Sequence, residues 1–174
     1  MIRAKVTVTD KNPFKLRYLI ARLRKDARSF VTIGVHEDAG EYTEGGSPPS
    51  VFEVAMWQEF GTENIPERAF LRTAIDGNVS LINEWRIEAL ENVIYRGWTM
   101  EKALNMMGFR LQELVRNQIK SDMPPPYGTG NSGASVEEIA RRQDAKQRKW
   151  GRSDTLIASG LMMRSVTYRV HLHD

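Results

Sequence analysis

A chain of 174 residues, 41% hydrophobic and 27% charged with a formal net charge of +3, is long enough to bury a core and has the composition of one globular domain. It contains no cysteine, which removes disulfides, thiol nucleophiles and cysteine-ligated zinc from consideration. No apolar run reaches the roughly 18 residues of a membrane span, and the opening MIRAKVTVTD lacks the apolar middle of a secretory signal, so the chain is expected to stay in the cytoplasm that makes it.

Ile2, Ala4, Val6 and Val8 alternate with Arg3, Lys5, Thr7 and Thr9, the pattern of a half-buried strand over 2–9. Pro13 then suits an early helical position, and Leu16, Leu19, Ile20 and Leu23 recur at helical spacing. Lys15, Arg17, Arg22, Arg24 and Lys25 fall on the opposite face, which reads as a solvated surface before a nucleic-acid one. A second strand is predicted near 30–36, where Val31, Ile33 and Val35 share a face. The polar, Gly- and Pro-rich stretch 37–49 reads as an extended surface loop. His36, Glu37, Asp38, Glu41 and Glu44 carry metal-ligand chemistry, but they match no cation-loop spacing, and no metal or other cofactor is expected.

Ser50-Val-Phe-Glu53 is a capping box, so a helix should run from Val51 to about Phe60 and bury Val51, Val54, Ala55 and part of Trp57. Gly61 is a natural stop for it. Thr62, Glu63 and Asn64 have nothing to bury, and Pro66 favours a turn or the mouth of a helix. This polar loop is flanked by Trp57, Phe60, Ile65, Phe70 and Leu71, all large and apolar, so it should be held in place at the surface. Glu59 and Arg72, with Arg68, are expected to fix it by charge-assisted hydrogen bonds.

After Pro66 a stripe of Leu71, Ala74, Ile75, Val79, Ile82, Trp85, Ala89 and Val93 predicts a helical run, kinked or broken at Gly77-Asn78 and ended by Gly97. Thr99 can cap a further helix with the stripe Leu104, Met107, Leu111, Leu114, Val115 and Ile119, and so short a link predicts a long helical hairpin near 68–120. The Pro/Gly-rich segment 122–134 cannot be regular structure. A second capping box, Ser135-Val-Glu-Glu138, opens a short helix into a basic arm spanning 135–153. There Arg141, Arg142, Lys146, Arg148 and Lys149 surround Trp150, the best candidate in the chain for contact with DNA or an acidic partner. Residues 155–160 read as a short helix or turn. Val166, Tyr168, Val170 and Leu172 then alternate as a final strand near 165–172, with His171 and His173 on its other face.

These elements make a single α+β domain over 1–174, with a small antiparallel or mixed sheet (2–9, 30–36, 165–172) packed against amphipathic helices. There is no Gly-rich phosphate loop, no H-E-x-x-H and no G-x-S-x-G, and no residue takes a catalytic role, so the chain does not read as an enzyme. A nucleic-acid-binding module using 141–152 is the alternative reading of the basic arm.

Glu59-Phe60-Gly61-Thr62, followed by Pro66-x-Arg68-x-Phe70-Leu71-Arg72, resembles the EFGT...IPxRPFLR signature of a family of tailed-bacteriophage neck or tail-completion proteins, with Ala69 where that family carries Pro. Leu156-Ile157-Ala158-Ser159-Gly160-Leu161 and Ser165-Val166-Thr167-Tyr168-Arg169-Val170 are similar to its C-terminal pattern. Thr32-Ile33-Gly34-Val35 also falls in the family's order, so the likeness spans Phe30 to Val170. The resemblance implies a virion structural protein at the head-tail junction, a neck or minor tail protein made and assembled in the bacterial host cytoplasm. It would bind copies of itself in a ring and the connector, tail terminator or tail-tube proteins, with transient contact to genomic DNA and no membrane. Its partner-binding residues would be Glu59, Phe60, Gly61, Thr62, Pro66, Arg68, Phe70, Leu71 and Arg72.

Overall fold

A computed structural model describes residues 13–41, 49–63, 65–121 and 160–173. The predicted strand at 2–9, the segment 122–134 and the arm 135–153 lie outside them.

The first described element is α1 (Pro13–Asp26), ended by a turn in which the Ser29 amide donates to the Asp26 carbonyl at 2.9 Å. It leads into β1 (Phe30–Val35). The capping box is formed: Ser50 Oγ accepts from the Glu53 amide, the Glu53 carboxylate accepts from the Ser50 amide, and α2 runs Val51–Phe60. An isolated bridge between Glu41 and Ser50 closes the loop before it.

The helical pattern of 68–120 resolves into α3 (Phe70–Asp76), α4 (Val79–Tyr95) and α5 (Met100–Lys120). The break falls at Gly77-Asn78, as predicted, and the Thr99 hydroxyl caps α5 by accepting from the Lys102 amide at 3.1 Å. The break also shifts the phase of the stripe. Ala74, Ala89 and Val93 are buried, whereas Val79, assigned to the core by a continuous pattern, is exposed. Residues 161–165, which the sequence pattern did not mark as helical, form the short helix α6 (Leu161–Ser165) directly before β2 (Val166–His171).

The fold is α+β, and the strands pair antiparallel with Val31, Ile33 and Val35 opposite Val170, Tyr168 and Val166. These residues share the face that packs on α5, because alternate residues of paired strands point the same way. The helix approaches closely: a Cβ built on Gly108 would lie 2.2 Å from Tyr168 Cδ2, and the Tyr168 hydroxyl meets Asn105 Oδ1 at 3.3 Å. The other face of the sheet is solvent-facing, with His171 stacked on Phe30 (ring centroids 4.6 Å apart) and its Nε2 3.1 Å from Thr32 Oγ1.

Two buried clusters sit at the two ends of α5. One joins Val51, Ala55, Phe70, Ala74, Val115, Ile119, Met162 and Val166; the other joins Ala89, Val93, Ala103 and Met107. The second cluster is rimmed by Glu88 and Arg110, which pair at 2.5 Å between α4 and α5. Arg22, expected among the outward cations of α1, is instead half-buried. Its guanidinium donates to the Trp98 carbonyl, satisfying an acceptor in the α4–α5 link.

Candidate functional site

The stretch from Trp57 to Arg72 folds as a loop clasped at its base. Gly61 ends α2 with φ 72°, where a side chain is strained, and a Cβ there would stand 3.0 Å from the Glu67 amide nitrogen. The chain turns through Thr62, whose amide donates to the Ile65 carbonyl at 2.7 Å and whose hydroxyl accepts from the Ile65 amide at 3.1 Å. It returns to α2 where the Arg68 amide donates to the Gln58 carbonyl at 2.6 Å, and the Arg68 guanidinium donates to Gln58 Oε1 at 3.1 Å.

The clasp centres on Glu59, only 5% exposed. One carboxylate oxygen accepts from the Leu71 amide at 2.8 Å; the other accepts from the Arg72 amide and from Arg72 Nε, each at 3.1 Å. Leu71 and Arg72 belong to the first turn of α3, whose amides have no partner within the helix, and Ala69 at the cap position has no side chain to supply one. Glu59 therefore caps a helix from the end of the previous one. Arg72 completes the arrangement by donating to the Glu59 carbonyl at 2.8 Å and to Glu67 Oε1 at 2.6 Å, and its guanidinium lies 5.2 Å from the Phe60 ring centroid. The hydrogen bond to Glu59, followed by the one to Glu67, raises the Arg72 pKa above its ordinary value against the pull of desolvation.

The nine residues singled out from the sequence thus divide into two sets. Glu59, Arg68 and Phe70 are buried and act as the brace; Phe60, Thr62 and Arg72 are exposed, and Gly61, Pro66 and Leu71 are intermediate. The expected link between Glu59 and Arg72 is formed, whereas Arg68, only 4% exposed, engages Gln58. Arg68 and Phe70 are buried within the chain, where they hold the loop. The residues of the basic arm, Arg141, Arg142, Lys146, Arg148, Lys149 and Trp150, lie outside the described residues.

Tertiary structure adds a feature that no local pattern marked. Beside the clasp, a groove of about 410 Å³ runs between β1 and α2, lined by Ile33, His36, Met56, Phe60, Leu71 and Arg72 among others. Phe60 is 58% exposed at its mouth, and His36 Nε2 is buried without a hydrogen-bond partner among the described residues. One signal of the clasp was present in the sequence: a carboxylate in the last turn of a helix opposes the helix dipole, so Glu59 needed a compensating donor set elsewhere.

Compared with protein-family models, curated proteins and solved structures, the chain finds no match. No described helix is long and apolar enough to cross a membrane.

Proposed function

We propose that this chain is a structural protein of a tailed-phage virion, acting at the head-tail junction as a neck or tail-completion component and docking through the clasped loop and its neighbouring groove. The observation that carries the proposal is the clasp itself. The residues of the phage-like signature include a buried brace (Glu59, Arg68, Phe70) that presents an exposed face (Phe60, Thr62, Arg72) beside an open groove. A loop held rigid before contact loses little conformational freedom on docking, which suits a surface that must fit symmetric neighbours. An aromatic and an arginine at the rim are residue types enriched where protein partners bind. On this reading the protein works by binding connector, terminator or tail-tube subunits and makes no covalent change.

The test is electron microscopy of particles assembled without the protein, which should show tailless heads beside completed tails. Wild-type chain should restore joining. Phe60→Asp, which alters an exposed side chain and keeps the buried residues of the brace, should not restore it although the variant stays folded by circular dichroism. Intact tailed particles in the absence of the protein would refute the proposal.

A further inference from the structure

Helix α4 carries a second apolar face that nothing described covers. Its first face is the one that packs inward, through Ile82, Trp85, Ala89 and Val93. On the other side Asn83, Ile87, Leu90 and Ile94 recur at spacings of four, three and four residues, which is the seam spacing of a two-helix coiled coil. Ile87 is 59% exposed and Leu90 47% exposed. Leu90 and Arg86 also line a cleft of about 630 Å³ between α1, α4, α5 and β1, so the apolar surface continues from the helix into the body.

The charges flanking this seam say what fits it. Arg86 precedes the seam residue Ile87 and Glu91 follows Leu90; both are exposed, and neither is ion-paired among the described residues. Arg86 is held by a 2.9 Å hydrogen bond to Asn83 Oδ1, which keeps it beside the seam. In a parallel pair, the residue before a seam position lies opposite the residue five places later on the other helix. Five places after Arg86 is Glu91. Two copies of α4 side by side in the same direction would therefore form two symmetric Arg86–Glu91 pairs around an apolar seam. An antiparallel pair would instead bring Glu84 of one helix near Glu91 of the other. In this register Ile87 and Ile94 hold the β-branched positions of the repeat and Leu90 the position between them, the combination that favours two parallel strands.

We infer that the exposed face of α4 is a self-association surface that takes a second copy of this chain, with the two α4 helices parallel about a two-fold axis. Because the body of each protomer lies on the Trp85–Ala89 side of its helix, the two bodies stand on opposite sides of the seam. The inference concerns a different face from the clasped loop, and it holds or fails whatever the chain docks onto there.

Sedimentation velocity of the full chain tests it. A concentration-dependent dimer should appear by about 100 µM, a range suited to a seam only two heptads long. Ile87→Glu should leave a monomer with an unchanged circular-dichroism spectrum and melting temperature. Arg86→Glu should weaken the dimer roughly tenfold, and the exchange Arg86→Glu with Glu91→Arg should restore it. Direction is read separately. In this cysteine-free chain, Leu90→Cys should cross-link to its counterpart on mild oxidation, whereas Tyr95→Cys, more exposed but off the seam, should not. A chain that stays monomeric with Leu90→Cys uncross-linked, a dimer indifferent to Ile87→Glu, or a loss of monomer stability in Ile87→Glu would each overturn the inference. The last result would mean that another segment of the same chain covers this face.

Discussion

Glu59→Gln isolates the contribution of the clasp, because it keeps the shape of the side chain and removes only its charge and one acceptor. Three donors converge on the native carboxylate: the amides of Leu71 and Arg72, and Arg72 Nε. In the variant an NH2 group takes the place of one oxygen and confronts a backbone N–H, so one buried donor is left unpaired at a cost of about 1–3 kcal/mol. Removing the negative charge costs about 0.3–1 kcal/mol at the start of α3 and relieves about as much at the end of α2, so the two dipole effects nearly cancel. The Arg72 guanidinium is half exposed and keeps Glu67, so the lost ion pair adds little. The expected loss is about 1–3 kcal/mol, large against the ~5–15 kcal/mol of a typical domain yet small enough to leave the chain folded. Urea denaturation should show a lowered midpoint with an unchanged slope, and amide exchange at Leu71 and Arg72 should accelerate more than at Val115 or Ile119. A loss below about 0.5 kcal/mol, or exchange that rises evenly across the chain, would show that Glu59 does not cap α3.

Three further outcomes follow from the same geometry. Gly61→Ala should cost about 1–3 kcal/mol in urea denaturation, since the new Cβ must adopt a positive φ and meets the Glu67 backbone. Gly108→Ala should destabilise although alanine is the better helix former, because overpacking against the Tyr168 ring (about 1–3 kcal/mol) exceeds the propensity gain of about 1 kcal/mol; adding Tyr168→Leu should recover part of the loss. The Glu88 pKa is lowered from its ordinary 4.5, chiefly by its hydrogen bond to Arg110. Near that value the folded chain therefore binds fewer protons than the unfolded one. The Glu88 contribution should be complete above pH 4.5 and be lost as pH falls through the lowered value, so urea midpoints of Glu88→Gln should vary less with acidification than those of wild type.

Much of this protein was readable one segment at a time. The capping box at Ser50, the Thr99 cap, the Gly77-Asn78 break and the alternation of Phe30–Val35 and Val166–His171 are local devices, each complete within a few neighbouring residues, and the α+β class follows from them. The clasp was legible in part. Glu59 and Arg72 are 13 residues apart, close enough for a short loop to bring them together, and an acidic residue at a helix C-terminus already called for a partner. Pairings decided by packing were not legible. The close approach of Gly108 to Tyr168, the inward turn of Arg22 to the Trp98 carbonyl and the groove beside His36 each depend on residues far apart in sequence. The exposure of Val79 and of the seam on α4 likewise depends on which face of the helix α5 occupies. Periodicity states that a helix has an apolar side; only the packed structure decides which of two apolar sides is buried and which is left to meet a partner.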